Sequence, residues 1–262
     1  MHPYLSTSFG LGFIFLMTTL GGATVFLFKA QVLVRLEKIS LGFAAGVMIA
    51  ASIWSLLMPA IEAASSLGIV EWIPAALGFA FGALFMLGLD NLIPHLHAQS
   101  GVQEGVKTKA RRSTLLFLAI TLHNIPEGMA VGLLYALAMH GGDSSMYATA
   151  TALAIGIGIQ NFPEGAAVSL TICNEGMSKS RAFWVSCLSG VVEPIFGFVA
   201  VILAVIFTPL MPWLLSFAAG AMIYIVVEEL IPEASLDKHW NMGTLSVIAG
   251  FLIMMILDLA FG

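Results

Sequence analysis

The sequence predicts an all-α integral membrane protein: a single domain over residues 1–262, built from eight transmembrane helices with an inverted repeat. Hydrophobic residues make up 59% of the chain and charged residues only 10%, whereas a soluble domain carries about 25% charged residues. The apolar residues are grouped in windows of about 20, the length that crosses the hydrocarbon core of a bilayer. One soluble core cannot bury this much apolar surface, so lipid must cover the rest.

Eight such windows follow one another along the chain, with short connections between them. They cover residues 8–29, 40–66, 72–97, 113–140, 146–173, 181–207, 211–235 and 242–261. The first window has no basic segment before it, because the first basic residue is Lys29. A cleavable signal requires such a segment, so we expect the first window to remain as a spanning helix.

Basic residues predict the orientation of the helices. All ten fall in or beside alternate connections, namely Lys29, Arg35, Lys38, Lys107, Lys109, Arg111, Arg112, Lys179, Arg181 and Lys238. The other connections carry no lysine or arginine. Because loops rich in these residues stay in the cytoplasm, both chain termini are predicted to lie outside it.

Two pairs of segments repeat within the chain. Residues 43–48 (FAAGVM) in the second helix match residues 217–222 (FAAGAM) in the seventh. Residues 123–128 (HNIPEG) in the fourth helix match residues 160–165 (QNFPEG) in the fifth. The two helices of each pair run in opposite directions in the predicted topology, which makes this an inverted repeat. Such repeats place a substrate site at their interface, near the middle of the membrane.

The second pair of repeats carries side chains that bind metal ions. His123 and Glu127 are four residues apart, as are Gln160 and Glu164, so each pair lies on one face of its helix. Ionisable groups at this depth are costly and indicate function. A mixed set of nitrogen and oxygen donors suits Zn, Fe, Mn, Co or Cd dications and does not suit Cu(I), which prefers sulfur.

Proline and glycine in the same motifs favour a site between the fourth and fifth helices. Pro126 and Pro163 lack an N–H, so each leaves a backbone carbonyl of the preceding turn without its helical partner. Beside a cavity such a carbonyl can serve an ion or water. We also expect Gly128 and Gly165 to allow these two helices to approach each other closely.

The two motifs resemble those of a known family. Residues 123–128 are similar to the helix-4 signature of ZIP metal transporters, and residues 160–165 to its helix-5 partner in the bacterial GufA-like branch. The resemblance covers essentially the whole chain. It implies a helix bundle in the bacterial inner membrane, in contact with lipid and often dimeric, whose fourth and fifth helices form the transport core.

The resemblance also implies which residues hold metal. The first ion would be bound by His123, Glu127, Gln160 and Glu164, with Met48 and Ser55 of the second helix beside it. A second ion, bridged by the two glutamates, would involve Asn124, Asn161 and Glu193. Some relatives carry an acid where this chain has an asparagine at 161, which reduces the charge of the second position. A structural, hydrogen-bonded carboxyl is the alternative for Glu193.

Six further polar residues are candidates for the transport pathway: Asp90, His95, His97, Glu228, Glu229 and Asp258. The two acids of the seventh helix and the one of the eighth either line a path or anchor helix packing. Asp90, His95 and His97 lie at the cytoplasmic end of the third predicted helix. The His-x-His pair resembles the metal-catching residues that open the cytoplasmic loop of the family, and a solvated interfacial pair is its alternative.

Three function classes follow from these residues. The first is a carrier of divalent metal, zinc foremost, with the ion as substrate and no organic cofactor. The second is an intramembrane metal-dependent hydrolase, which the absence of a His-Glu-x-x-His motif disfavours. The third is a passive channel, which only the saturation of uptake separates from a carrier. A net charge of −5 argues against binding of nucleic acid.

The predicted topology can be tested by cysteine labelling in a background in which Cys173 and Cys187 are replaced by serine. A cysteine at position 107, in place of Lys107, is expected to react with an impermeant maleimide only from the cytoplasmic side. One in place of Asp143 is expected to react only from outside. The reversed pattern would overturn the charge argument.

Overall fold

A computed structural model describes residues 3–27, 33–96, 103–104, 112–141, 144–174, 176–234 and 241–261. Eight long helical segments follow one another within these ranges, which confirms the all-α prediction. They are α1 (Pro3–Ala23), α2 (Leu33–Ala51, Ser52–Leu57 and Met58–Ser66), α3 (Trp72–Leu92), α4 (Arg112–Gly141), α5 (Ser144–Asn174), α6 (Lys179–Gly190 and Val192–Ile206), α7 (Met211–Ile225, Val226–Leu230 and Ile231–Ala234) and α8 (Met242–Phe261). Short 3₁₀ turns cover Thr24–Phe26 and Thr208–Leu210, and two-residue strands pair His95–Leu96 with Gln103–Glu104.

Six of the eight helices are long and apolar enough to cross a membrane by length and composition. The other two, α4 and α5, have 30 and 31 residues and contain the polar motifs. Large apolar side chains are exposed on the outer helices, such as Leu84 of α3 (62%) and Leu259 of α8 (66%). Water would not cover such a surface in a stable protein, whereas lipid does. The fold is therefore that of an integral membrane protein.

Both α2 and α7 contain a π-helical turn, and the two turns occupy matching places. The turn Ser52–Leu57 ends two residues before Pro59, and the turn Val226–Leu230 ends two residues before Pro232. A proline removes one backbone hydrogen bond and crowds the carbonyl four residues earlier, so the preceding turn widens. The same irregularity in both copies agrees with the inverted repeat.

Glycines bring several pairs of helices close together. Added Cβ atoms would meet the backbone of the facing helix at Gly165 (against Thr18 of α1), Gly128 (against Glu193 of α6), Gly46 (against Val247 of α8) and Gly82 (against Phe217 of α7). These contacts join α1 to α5, α4 to α6, α2 to α8 and α3 to α7. The expectation that Gly128 and Gly165 pack α4 against α5 is therefore wrong. The side of Gly128 that lacks a side chain faces α6, and that of Gly165 faces α1, so neither faces the α4–α5 interface.

Hydrogen bonds made by side chains join four helices into one group and link the other four in two pairs. In the group of four, α1, α4, α5 and α6 are joined through the acids and amides of the sequence motifs. In the two pairs, Ser55 of α2 bonds to Asp258 of α8, and Tyr224 of α7 bonds to Asp90 of α3. We call the first four helices the motif group and the other four the outer group. A polar contact between His123 and Glu229 connects them.

The glycine contacts predict unequal effects for two glycines of α3. Gly82→Ala places a methyl group against the backbone of Phe217, whereas Gly88→Ala meets no atom within 4 Å. We expect the first substitution to destabilise the protein by about 1–3 kcal/mol, the usual cost of overpacking. The second should be neutral or slightly stabilising, because alanine favours helix over glycine.

Thermal unfolding of both variants in detergent, followed by the loss of monodisperse protein, measures the difference. Equal melting temperatures for the two variants would contradict the close contact between α3 and α7.

Candidate metal site

The first pair of motif residues meets across the α4–α5 interface. The Nε2 of Gln160 donates a hydrogen bond of 2.6 Å to Oε1 of Glu127. Both side chains are almost completely buried, at 0% and 1% exposure. Both helices continue through Pro126 and Pro163, so the residues stay on helical faces. The structure thus brings together one residue from each predicted motif.

Three buried oxygen atoms of the two motifs accept no hydrogen bond from the part of the chain that the structure describes. They are Oε2 of Glu127, Oε1 of Gln160 and Oδ1 of Asn161. A buried acceptor without a partner costs about 1–3 kcal/mol, and more when it carries charge. In each amide the nitrogen is engaged with an acid, which leaves the oxygen for another ligand. A cation supplies what these oxygens lack.

The imidazole of His123 contacts an acid of α7, outside the two motifs. Its Nε2 lies 2.7 Å from Oε2 of Glu229, and the two side chains are 14% and 10% exposed. Glu229 belongs to the π-helical turn of α7. Sequence analysis placed Glu229 on a possible pathway or in a packing role, and the structure places it against the predicted histidine ligand.

Three carboxylates of the motif group repel one another. Glu127, Glu164 and Glu193 are each close enough to interact electrostatically with the other two, and His123 is close enough to attract Glu164. Glu127 and Glu193 are buried, and Glu164 is partly exposed. Like charges close together in a low-dielectric site disfavour simultaneous ionisation unless positive charge is supplied. This part of the bundle therefore favours the binding of a cation.

Glu193 is enclosed by hydrogen-bond donors from two other helices. Its Oε2 accepts from Nδ2 of Asn161 at 2.9 Å, and its Oε1 accepts from Oγ1 of Thr18 at 3.0 Å. Nearby, Nδ2 of Asn124 donates to the carbonyl of Ser189 at 2.9 Å. Thr18 was not predicted. A lone hydroxyl in an apolar helix usually bonds to its own backbone, and this one also lies 3.2 Å from the carbonyl oxygen of Ile14.

The residues predicted on α2 lie in two different surroundings. Met48 is fully buried in the hydrophobic core. The hydroxyl of Ser55 donates to Oδ1 of Asp258 at 2.6 Å, while Oδ2 of that aspartate accepts no bond from the described residues. Asp258 also lines a cavity of about 330 Å³ near the C-terminal end of α8, together with Glu62. Glu62 carried no motif that sequence reasoning could have recognised.

The remaining candidates make no hydrogen bond to the motif residues that the structure records. Asp90 is partly buried and its Oδ2 accepts a hydrogen bond of 2.9 Å from the hydroxyl of Tyr224. Glu228 is exposed. His95 is part of the short strand pair, whereas His97 lies outside the described residues, as do the labelling positions Lys107 and Asp143.

The described residues contain no group of three His, Cys, Asp or Glu side chains that is arranged to hold a metal ion. The donors at the α4–α5 interface instead combine a carboxylate with amide oxygens, and the histidine is paired with Glu229. Metal binding through Nε2 of His123 would therefore require this nitrogen to leave Glu229.

Comparisons with known proteins identify the family. The model of the family described as "ZIP Zinc transporter" matches residues 97–258. The chain is 37% identical to zinc transporter ZIP11 of Homo sapiens over 94% of each protein, and 39% identical to zinc transporter ZIPB of Bordetella bronchiseptica over 92% of this chain and 77% of the relative. It is 36% identical to zinc transporter GufA of Myxococcus xanthus over 71% of each.

These relatives are named as transporters and not as enzymes, in agreement with the prediction of a transporter instead of a hydrolase. The matched region contains both motifs and all three clustered carboxylates. The similarity to GufA also agrees with the branch predicted from residues 160–165. The chain is therefore an integral membrane protein that belongs to the ZIP zinc transporter family.

Proposed function

We propose that this protein moves divalent metal cations into the cytoplasm through a site between α4 and α5, with zinc as the main substrate and iron, manganese, cobalt or cadmium as alternatives. The observation that carries the proposal is the set of three buried oxygens on Glu127, Gln160 and Asn161 that lack a hydrogen-bond donor among the described residues. The relatives named as zinc transporters support the choice of zinc.

Each proposed ligand has a distinct role. Glu127 and Glu164 supply negative charge, and Gln160 supplies an amide oxygen. His123 supplies the nitrogen that favours zinc over the harder dications. The Nε2 of His123 lies 2.7 Å from Oε2 of Glu229. Metal binding through this nitrogen would therefore compete with the contact that joins the motif group to the outer group.

Movement of one helix group against the other supplies alternating access. Close glycine contacts lie within each group, such as Gly165 against α1 and Gly82 against α7, so each group is well suited to move as a unit. An inside-negative potential of about 100 mV favours entry of a dication by about 4.6 kcal/mol. The sequence has no phosphate-binding Gly-x-x-x-x-Gly-Lys motif, and the potential and the metal gradient suffice to drive uptake.

Removal of either central carboxylate is expected to abolish saturable uptake. Glu127→Ala and Glu164→Ala each leave a dication without one charged partner in a buried site. This loss costs about 3–5 kcal/mol, more than about a hundredfold in affinity. The measurement is zinc uptake into proteoliposomes at a clamped membrane potential, with Glu71→Ala, at an exposed acid between α2 and α3, as the matched control.

Near-normal uptake by both central variants would refute the site, provided that both variants are monodisperse and inserted. Uptake by the unchanged protein that rises linearly with zinc concentration would favour a channel over a carrier.

Uptake is also expected to fall as the pH is lowered from about 7 to about 5. Metal binding requires a neutral imidazole and ionised carboxylates, so protons compete with the metal for the same atoms. The initial rate must be measured at fixed free zinc and fixed membrane potential, since both change the driving force. A rate that rises steadily toward pH 5 would contradict this competition and would favour proton-coupled symport.

A further inference from the structure

The carboxylate of Glu193 is fully buried, at 0% exposure, and both of its oxygens already accept hydrogen bonds. Asn161 of α5 donates to one oxygen and Thr18 of α1 donates to the other. We propose that Glu193 is a positioning residue that holds the amide of Asn161 toward the cation, and that the protein carries one metal ion at a time. This inference rests on the proposed site between α4 and α5.

The orientation of Asn161 is the first argument. An amide has a donor end and an acceptor end. Because Nδ2 is bonded to Glu193 at 2.9 Å, Oδ1 is presented on the opposite side. That oxygen is buried and accepts no bond from the described residues. Asn161 lies three residues before Glu164, so both project from the same face of α5. The acid thus directs an amide oxygen to the side of α5 that carries a proposed metal ligand.

The neighbouring residue shows the same arrangement. Gln160 donates its Nε2 to Glu127 of α4 and leaves its Oε1 without a donor from the described residues. Two consecutive amides of α5 are therefore oriented by acids from two flanking helices, α4 and α6. Outer partners that orient the ligands of a metal in this way commonly change its affinity by about 10–100-fold when they are removed.

The surroundings of Glu193 also disfavour a second ion there. An amide N–H and a hydroxyl already compensate the charge of the carboxylate, and Asn161 adds no negative charge. A dication would have to displace these donors or share Glu193 with them. The backbone of Glu193 is further held by the close approach of Gly128. The residue is thus fixed from α1, α4 and α5, as expected of a support.

The test compares Glu193→Gln with Glu193→Ala. The glutamine keeps an acceptor for Asn161 and can donate to the hydroxyl oxygen of Thr18, whereas alanine removes both contacts. Equilibrium dialysis of purified protein against buffered free zinc, with metal analysis, is expected to find one zinc per chain in the unchanged protein and in both variants. The dissociation constant should stay within about threefold for the glutamine variant and rise about 10–100-fold for the alanine variant.

A double-mutant cycle separates positioning through Asn161 from a general loss of packing. Asn161→Leu removes the amide that Glu193 is proposed to orient. If Glu193 acts through this amide, the double variant Asn161→Leu with Glu193→Ala should bind zinc no more weakly than the worse single variant. Fully additive losses would overturn the proposal, as would two zinc ions per chain with one lost in Glu193→Gln.

Zinc binding by Glu127→Ala tests the proposed site separately from the role of Glu193. Glu127→Ala should lose zinc binding altogether if the site between α4 and α5 is correct. Retained binding in that variant refutes the site itself. Loss of binding in Glu127→Ala together with two ions per chain in the unchanged protein leaves the site standing and refutes the inference that the protein carries one ion at a time.

Discussion

The burial of carboxylates inside an apolar bundle is the constraint on which the rest of this structure depends. An ionised group far from water is very costly unless it is paired or hydrogen-bonded. The bundle meets this cost with donors from neighbouring helices: Gln160 bonds to Glu127, Asn161 to Glu193 and Ser55 to Asp258. Each of these bonds fixes one helix against another. The groups that make the site polar therefore also determine how the helices are arranged around it.

Much of the fold could be predicted from the sequence, because the apolar windows are long and the two motifs stand out against them. The pairing of Gln160 with Glu127 follows the prediction of a site between α4 and α5. The partners from other helices could not be predicted. Thr18 carries no local signal, and the facing helices of Gly128 and Gly165 depend on the packing of the whole bundle. Helical periodicity shows which residues share a face but not what that face meets.

The contact between His123 and Glu229 relates the site to the division of the bundle. Most of the acids and amides of the motifs bond within α1, α4, α5 and α6, whereas this pair crosses to α7. The Nε2 of His123 lies 2.7 Å from Oε2 of Glu229. The residue that the sequence predicts as a metal ligand is therefore also the residue that contacts the other helix group.

The widened turns of α2 and α7 bear on how this fold accommodates changes in chain length. The distance from the start of the FAAG segment to the proline is one residue longer in α2 than in α7, since Phe43 precedes Pro59 by 16 positions and Phe217 precedes Pro232 by 15. The π-helical turn is also one residue longer in α2, with six residues against five. A π turn takes up an extra residue without unwinding the helix on either side. The extra residue of α2 is therefore accommodated within its π-helical turn, so the FAAG segment and the proline can keep equivalent places in the two copies although the chain between them differs in length.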